Sequence, residues 1–437
     1  MQIKSTLLQA ALLSSTVLAA SKKSSSSSSK TTTTKTSSST SKTTTTKASS
    51  ASVPSSCSVS ATATAQTDLD QYASCKTLVG DLTISGDLGG ASLANVETID
   101  GSFTIKNATG LTTFSADLKT VTGTLTLEGL TILTQATFGQ LESVDTIELV
   151  TLPAIEAFEA GLLTSVDTVL ISDTSLTSLD SFTGLTSVGS IDINNNKYLV
   201  SFDSSLETVS DALTYSFNGA SSVVSLDDLI WANNVTLSAV DSASFSNLQY
   251  INSSFECINN TFANLTASGL KTVGKTFSIQ YNDGLTSLSF NNLTKVGGGF
   301  VIANNTDLKI IDGFESLTEV DGAMEIIGSF SELDLSSLNL VKGAADIETT
   351  ASNYSCSAMN KLHSKGNIQG DEYTCTAATS TSSKASSATK KAASTSGSAT
   401  ATSGSTSSSS KSSGAAAGNF APSSFMGAFP AVAALLL

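Results

Sequence analysis

The stretch LTSVGSIDINNN, from Leu185 to Asn196, decides the fold. LTSVDTVLISDT precedes it at Leu163 to Thr174, and LKTVGKTFSIQYND and LTKVGGGFVIANNTD follow from Leu270 and Leu293. The shared phrase is Leu-x-x-Val, two alternating apolar positions, a polar turn, then Leu-x-x-Leu/Phe and another turn. Its leading Leu returns from Leu93 to Leu338 at a mean step of about 22 residues. Period-2 pairs such as Ile191/Ile193, Phe277/Ile279 and Phe300/Ile302 predict strands with one face inward. No stretch carries a long 3.6-residue stripe. A repeat of this length with short strands predicts an all-β solenoid. One coil alone buries too little apolar surface to offset the entropy of ordering its backbone. The phrase therefore recurs because only stacked neighbours make it stable.

Asn196, Asn282 and Asn305 each follow the second inward residue by three, matching the L-x-L-x-x-N part of leucine-rich repeats, where Asn serves turn amides. Leu-x-x-Leu/Phe after the turn predicts two or three short strands per coil rather than strand plus helix. Phe182, Phe202, Phe245 and Phe314 recur before turns and are expected in the core. Trp231, the only tryptophan, is expected inward, against the alternative of a platform for sugars.

The flanks cannot fold this way. Residues 1–20 begin MQIKSTLLQAALL and read as a secretory signal peptide. Residues 21–52 are almost wholly Ser, Thr, Lys and Ala, and 377–413 are similar; both are expected to be disordered, O-glycosylated stalks. The last apolar run, Phe425 to Leu437, has 13 residues. As a helix it spans about 20 Å, short of a hydrocarbon core of about 30 Å. With small residues before it, residues 414–437 read as a glycosylphosphatidylinositol (GPI) signal, attachment falling on Gly414, with Ser413 and Ala415 as near alternatives. Residues 53–376 are left as the solenoid body. Its N-x-Ser/Thr acceptors are Asn107, Asn234, Asn252, Asn259, Asn264, Asn292, Asn304 and Asn353. In an oxidising compartment, Cys57 with Cys75 and Cys356 with Cys375 are expected to bridge and close the two end caps. Cys257 occupies the column of Ile279 and Ile302 and reads as a buried thiol.

Composition excludes several functions. All 37 acidic residues lie in the body, which holds eleven of the 22 Lys and no Arg. Such a surface does not suit phosphate contacts, so no nucleic-acid partner is expected. His363 is the only histidine, which argues against a Ser-His-Asp triad or a multi-histidine metal site. Gly297-Gly298-Gly299 precedes a strand and reads as a turn, not a phosphate loop. Carboxylates are the remaining candidates. Asp180, Asp203 and Asp227 follow the second apolar element of three successive coils and could stack in a column. That column admits three readings: turn chemistry, calcium, or a glycosidase pair. Glu97, Asp145, Asp167 and Asp321 occupy a second, similar turn position.

The body resembles the receptor L-domain type of repeat, which implies a right-handed β-helix-like solenoid with capping cysteines. The whole chain resembles the fungal GPI-anchored cell-wall-organisation glycoproteins, a group that includes sporulation-specific relatives. The residues that carry this are Cys57 with Cys75, the LTxVxGxFxI-like coils, the closing CSAMNKLHSKGNIQGDEYTC and the GAAAG…SFMG tail. The likeness spans about residues 53 to 437; the Ser/Thr/Lys tract at 21–52 departs from it. It implies a non-enzymatic, extracellular role in wall integrity, with wall polysaccharides or mannoproteins as partners. The lipid would provide the membrane contact, and no cofactor, metal or catalytic residue is implied. A carbohydrate-active enzyme and a receptor-like protein-binding module are the alternative readings.

Overall fold

The computed structural model describes residues 54–161 and 163–378, which contain the expected body except its first residue and Leu162. The signal peptide, the first stalk, the second from residue 379 on and Gly414 lie outside the described residues; Ala377 still ends the last strand, Tyr373–Ala377. The body is a β-solenoid of about 13 turns. The opening stretch forms the strand Ser187–Asn194. It pairs in parallel with Ser165–Thr174 on one side and Thr208–Ser216 on the other, setting Ile171 beside Ile193 and Ile193 beside Tyr215. Val188, Ile191 and Ile193 are buried. The register with Thr208–Ser216 shifts between Val188 and Ser190, because that strand carries an extra residue between Val209 and Ala212, a bulge that keeps Ile191 beside Leu213.

One parallel sheet of 22 strands runs along the body. Shorter parallel strands line another side, first from Gly90–Leu93 to Ala157–Glu159, then from Ser201–Asp203 to Ser287–Ser289. The 3-10 turn Asp180–Phe182 separates these two sets. The large sheet changes character along its length. From Thr120–Glu128 to Trp231–Ser238 its strands are continuous. Later coils bend and split, as in Thr272–Val273 followed by Phe277–Gln280. Gly274 and Gly297 stand at the bend. A Cβ on Gly297 would lie 2.1 Å from the carbonyl oxygen of Gly274. Asp145 and Asp167, expected in turns, instead lie inside the strands Ser143–Leu152 and Ser165–Thr174, because the continuous coils have no bend there.

Aromatic rings stack through the core. Phe255, Phe277 and Phe300 follow one another at 5.8 and 5.4 Å, and Phe290 and Phe314 stack at 5.6 Å. Phe182, Phe202, Phe245 and Phe314 are all buried. Trp231 is not. It is half-buried in the outward row, in register with Thr208 and Tyr250, and Ala232 takes the inward slot that Val fills in other coils.

Each long strand ends in one residue of left-handed backbone, from Asn107 through Thr151, Asp173, Asn195 and Phe217 to Asn304. The next residue turns inward. In the later coils that residue is Asn, except at Val240, and the Asn side chains form a ladder. Asn282 Nδ2 donates to the carbonyl of Cys257 at 3.0 Å and to Asn305 Oδ1 at 3.0 Å, while its Oδ1 accepts the backbone N–H of Asn260 at 2.9 Å. Asn196 accepts the N–H of Thr174 at 3.0 Å in the same way. Buried amides thus satisfy the backbone at a corner where no strand can. Asn218 and Asn260 belong to the ladder too. The 22-residue step from Asn196 and back from Asn282 is the signal that marks them.

Both ends are closed. Cys57–Cys75 and Cys356–Cys375 are disulfides with Cα atoms 5.7 and 6.0 Å apart. The short helix Gln66–Asp70 accompanies the first, and the helix Ser357–Ser364 lies within the loop closed by the second. These caps limit edge-to-edge association of the sheet. Cys257 is fully buried, and burial followed by the adjacent Glu256 carboxylate pushes its thiol well above the usual range.

Candidate functional site

The proposed acidic column does not form. Asp203 ends the strand Ser201–Asp203 and stands in register with Ser225, so Asp227 lies two residues beyond it. Asp180 opens the 3-10 turn, where its carboxylate accepts from Ser178 Oγ at 3.1 Å. Asp227 accepts hydrogen bonds from the Ser244 hydroxyl and from the hydroxyl and N–H of Ser246. These donors, Ser244 first, hold its carboxyl below the usual range. Turn chemistry is what this geometry performs. Among the described residues no group of three or more His, Cys, Asp or Glu is placed to hold a metal ion. His363 stacks on Tyr373 in the C-terminal cap, ring centroids 4.3 Å apart.

Other carboxylates are more perturbed. Glu325 and Asp346 are register neighbours on the outward face of the large sheet. Burial, then the charge of Asp346, raises the Glu325 carboxyl; burial, then Glu348 and Glu372, raises Asp346. One oxygen of Asp346 is buried without a hydrogen-bond partner among the described residues. Further along, Lys295 and Lys342 both bridge Glu319 and Asp321, tying three coils together. Lys76 and Lys119 bracket Glu97 in the same manner.

The outward face of the continuous strands is hydroxyl-rich. Thr124, Thr146, Thr168 and Ser190 form one row, and a second row runs from Thr83 and Thr104 on the earlier short strands through the buried Thr126 into Glu148. All the glycan acceptors but Asn234 lie elsewhere; Asn234 stands in the first of these rows, next after Ala212. None falls between Asn107 and Asn234. Asn107, Asn252, Asn259, Asn264, Asn292, Asn304 and Asn353 are exposed. Asn234 is half-buried, its amide donating to the Asp211 carbonyl at 3.2 Å and accepting the Ser254 N–H at 3.2 Å.

Among the described residues no helix is long and apolar enough to cross a membrane. No protein-family model and no solved structure matches the chain. Curated relatives do. Cell wall mannoprotein PST1 of Saccharomyces cerevisiae is 46% identical over 322 residues, 73% of this chain and 72% of that protein. Cell surface GPI-anchored protein ECM33 of Candida albicans is 37% identical over 335 residues, 75% of this chain and 81% of that protein. Cell wall protein ecm33 of Schizosaccharomyces pombe is 32% identical over 326 residues, 73% and 76%. These names are those of wall and surface proteins, not of enzymes. The chain belongs to the fungal family of GPI-anchored cell-wall and cell-surface mannoproteins.

Proposed function

We propose that the body is a rigid, non-catalytic scaffold that organises the fungal wall by presenting one bare hydroxyl-rich face to wall polysaccharides or mannoproteins. The observation that carries this is the sheet itself: a parallel stack sealed at both ends, whose continuous strands hold every outward side chain in fixed rows. Rows at ~4.8 Å spacing suit an extended polymer better than a small substrate. A lipid on Gly414 would hold the scaffold at the outer leaflet, and the segment 377–413 would set its distance from the membrane. Mass spectrometry of the C-terminal peptide of the mature protein tests that attachment. The role is tested by deleting the gene and challenging cells with a wall-binding dye. Sensitisation is expected, and an unchanged wall in a clean deletion counts against the scaffold.

Glu325 and Asp346 favour a second reading. Glycoside hydrolysis uses two neighbouring carboxyls, one kept protonated by a raised pKa and the other ionised. Their place in the outward rows of the large sheet, in register with Val301 and Thr374, favours a structural role. Under the scaffold reading, cells carrying Glu325→Gln with Asp346→Asn keep normal dye resistance. Loss of resistance together with loss of reducing-sugar release from glucan would favour the enzyme.

A further inference from the structure

The left-handed residues that end the long strands form a ridge with one position per coil. Three of them, Asn107, Asn259 and Asn304, are glycan acceptors. Sugars on these three would stand along the ridge and leave bare the coils of Thr151, Asp173 and Asn195. Just past the ridge, those coils open into a cleft of about 610 Å³. Its volume lies within the ~300–1,000 Å³ typical of small-ligand sites. Thr134 adds the preceding coil, and four coils at ~4.8 Å spacing give the cleft a span of ~14 Å.

The lining combines an aromatic face, hydroxyls and one carboxylate. Tyr198 is 50% exposed, and Lys197 Nζ sits 4.7 Å from its ring centroid. Pro153 supplies an apolar wall. Ser175 Oγ donates to the Pro153 carbonyl at 2.7 Å and Thr134 Oγ1 to the Thr112 carbonyl at 3.1 Å. Their protons are spent, so each oxygen is left to accept. Thr177 and Glu156 also line the cleft and make no side-chain hydrogen bond among the described residues. A half-exposed ring beside polar groups without partners is a surface arranged for contact. One carboxylate and one ammonium leave the cleft without net charge. The acidic body around it disfavours an anionic ligand.

We propose that this cleft binds a neutral hexopyranose chain of wall polysaccharide. Tyr198 is the stacking platform for the apolar face of a sugar ring. Glu156 accepts from sugar hydroxyls, and Thr177 both donates and accepts. The proposal rests on the scaffold reading above and names the polymer-binding element within it.

The test titrates the full-length, detergent-solubilised protein with hexamers of β-1,3-linked glucose, β-1,4-linked N-acetylglucosamine and α-1,6-linked mannose by calorimetry. One series is expected to bind. Tyr198→Ala is expected to weaken it at least ten-fold with an unchanged melting temperature, and Glu156→Gln several-fold. Tyr281→Ala, whose ring is 53% exposed on a distant coil, is expected to leave binding unchanged. Equal binding by wild type and Tyr198→Ala overturns the assignment. So does the absence of binding to all three hexamers while the protein still sediments with isolated walls; in that case the scaffold reading survives and the cleft does not. Failure to sediment with walls, joined to an unchanged wall in the deletion, overturns both. A loss of purified-mannoprotein capture in Tyr198→Ala, with no hexamer bound, replaces the sugar with a protein ligand.

Discussion

The continuous coils from Thr120 to Ser238 and the bent coils after them stack the same repeat by different means. In the continuous coils, long strands absorb their extra residues in bulges, as between Val121 and Thr124 and between Val209 and Ala212. Side chains fit at the kink, and Asp145 and Asp167 are exposed there. In the bent coils, backbone lies directly on backbone at Gly274 and Gly297, and nothing larger than hydrogen fits. The corner differs as well. Leu130 and Leu152 fill it with apolar volume in the first continuous coils, whereas Asn196 and Asn218 in later continuous coils and Asn260, Asn282 and Asn305 in bent ones fill it with paired amides. A coil can thus be sealed by packing or by hydrogen bonds, and substitutions should betray which means each region uses.

The largest contrast is expected at the glycines. Gly297→Ala drives a methyl into the Gly274 carbonyl, at 2.1 Å, and should cost more than about 3 kcal/mol, at or beyond the upper range of overpacking. Gly189→Ala meets the Asp167 carboxylate at 2.6 Å, a side chain that can swing away, and should cost under about 1 kcal/mol. Thermal melts of the two variants rank them. Hydrogen exchange should place the Gly297→Ala loss in the coils of Gly274 and Gly297, since each coil touches only its neighbours. Equal losses would erase the distinction between the two kinds of coil.

Asn282→Leu copies the chemistry of Leu152 into a bent coil. It leaves the Cys257 carbonyl and the Asn260 amide without their partners. A loss of about 2–3 kcal/mol is expected, in line with orphaned buried polar groups. A denaturant titration showing no loss would mean that the ladder is merely filling space.

Acid should act oppositely on different parts of the body. Glu325 and Asp346 have raised carboxyl pKa values, so the folded state takes up their protons at higher pH than the unfolded chain does. Their charge therefore opposes folding at neutral pH. That penalty is relieved as pH falls through the raised values toward the unfolded ones near about 4. Asp227 and Glu97 have lowered values, Asp227 chiefly through Ser244 and Glu97 chiefly through Lys76. Their stabilisation is fully present above about 4 and fades as pH falls through the lowered values. Between pH 7 and 5, exchange protection corrected for intrinsic rate should rise in the strands Met324–Gly328 and Ala345–Thr349 and stay level around Asp227. Asp346→Asn should reduce that rise and leave the part due to the burial of Glu325.

The smallest effect concerns modification rather than stability. Asn259 and Asn304 are exposed on the ridge, whereas the Asn234 amide is held between two backbone groups of the continuous sheet. Glycopeptide mapping should find the first two occupied and Asn234 bare. A fully occupied Asn234 would remove the bare face from the continuous strands.

Much of this molecule was legible in the sequence. The 22-residue period, the inward columns, the capping cysteines and the ladder residues Asn196, Asn282 and Asn305 follow from local pattern, because each is set by one coil's own alternation of apolar and polar positions. Register between coils is not local. Asp180, Asp203 and Asp227 are spaced 23 and 24 apart, yet the short strands in this region pair at a step of 22, from Ser201 to Val223, so the third carboxylate slips out of line. Trp231 faces outward because Ala232, not the larger apolar residue beside it, falls on the inward phase of its strand. The cleft at Tyr198 draws on four coils and exists only once they stack. Composition and periodicity determined that the chain coils, where its core lies and how its ends close. The tertiary structure alone decided which polar groups meet, because coils of unequal length stack by backbone hydrogen bonds, and those bonds are indifferent to side-chain spacing along the chain.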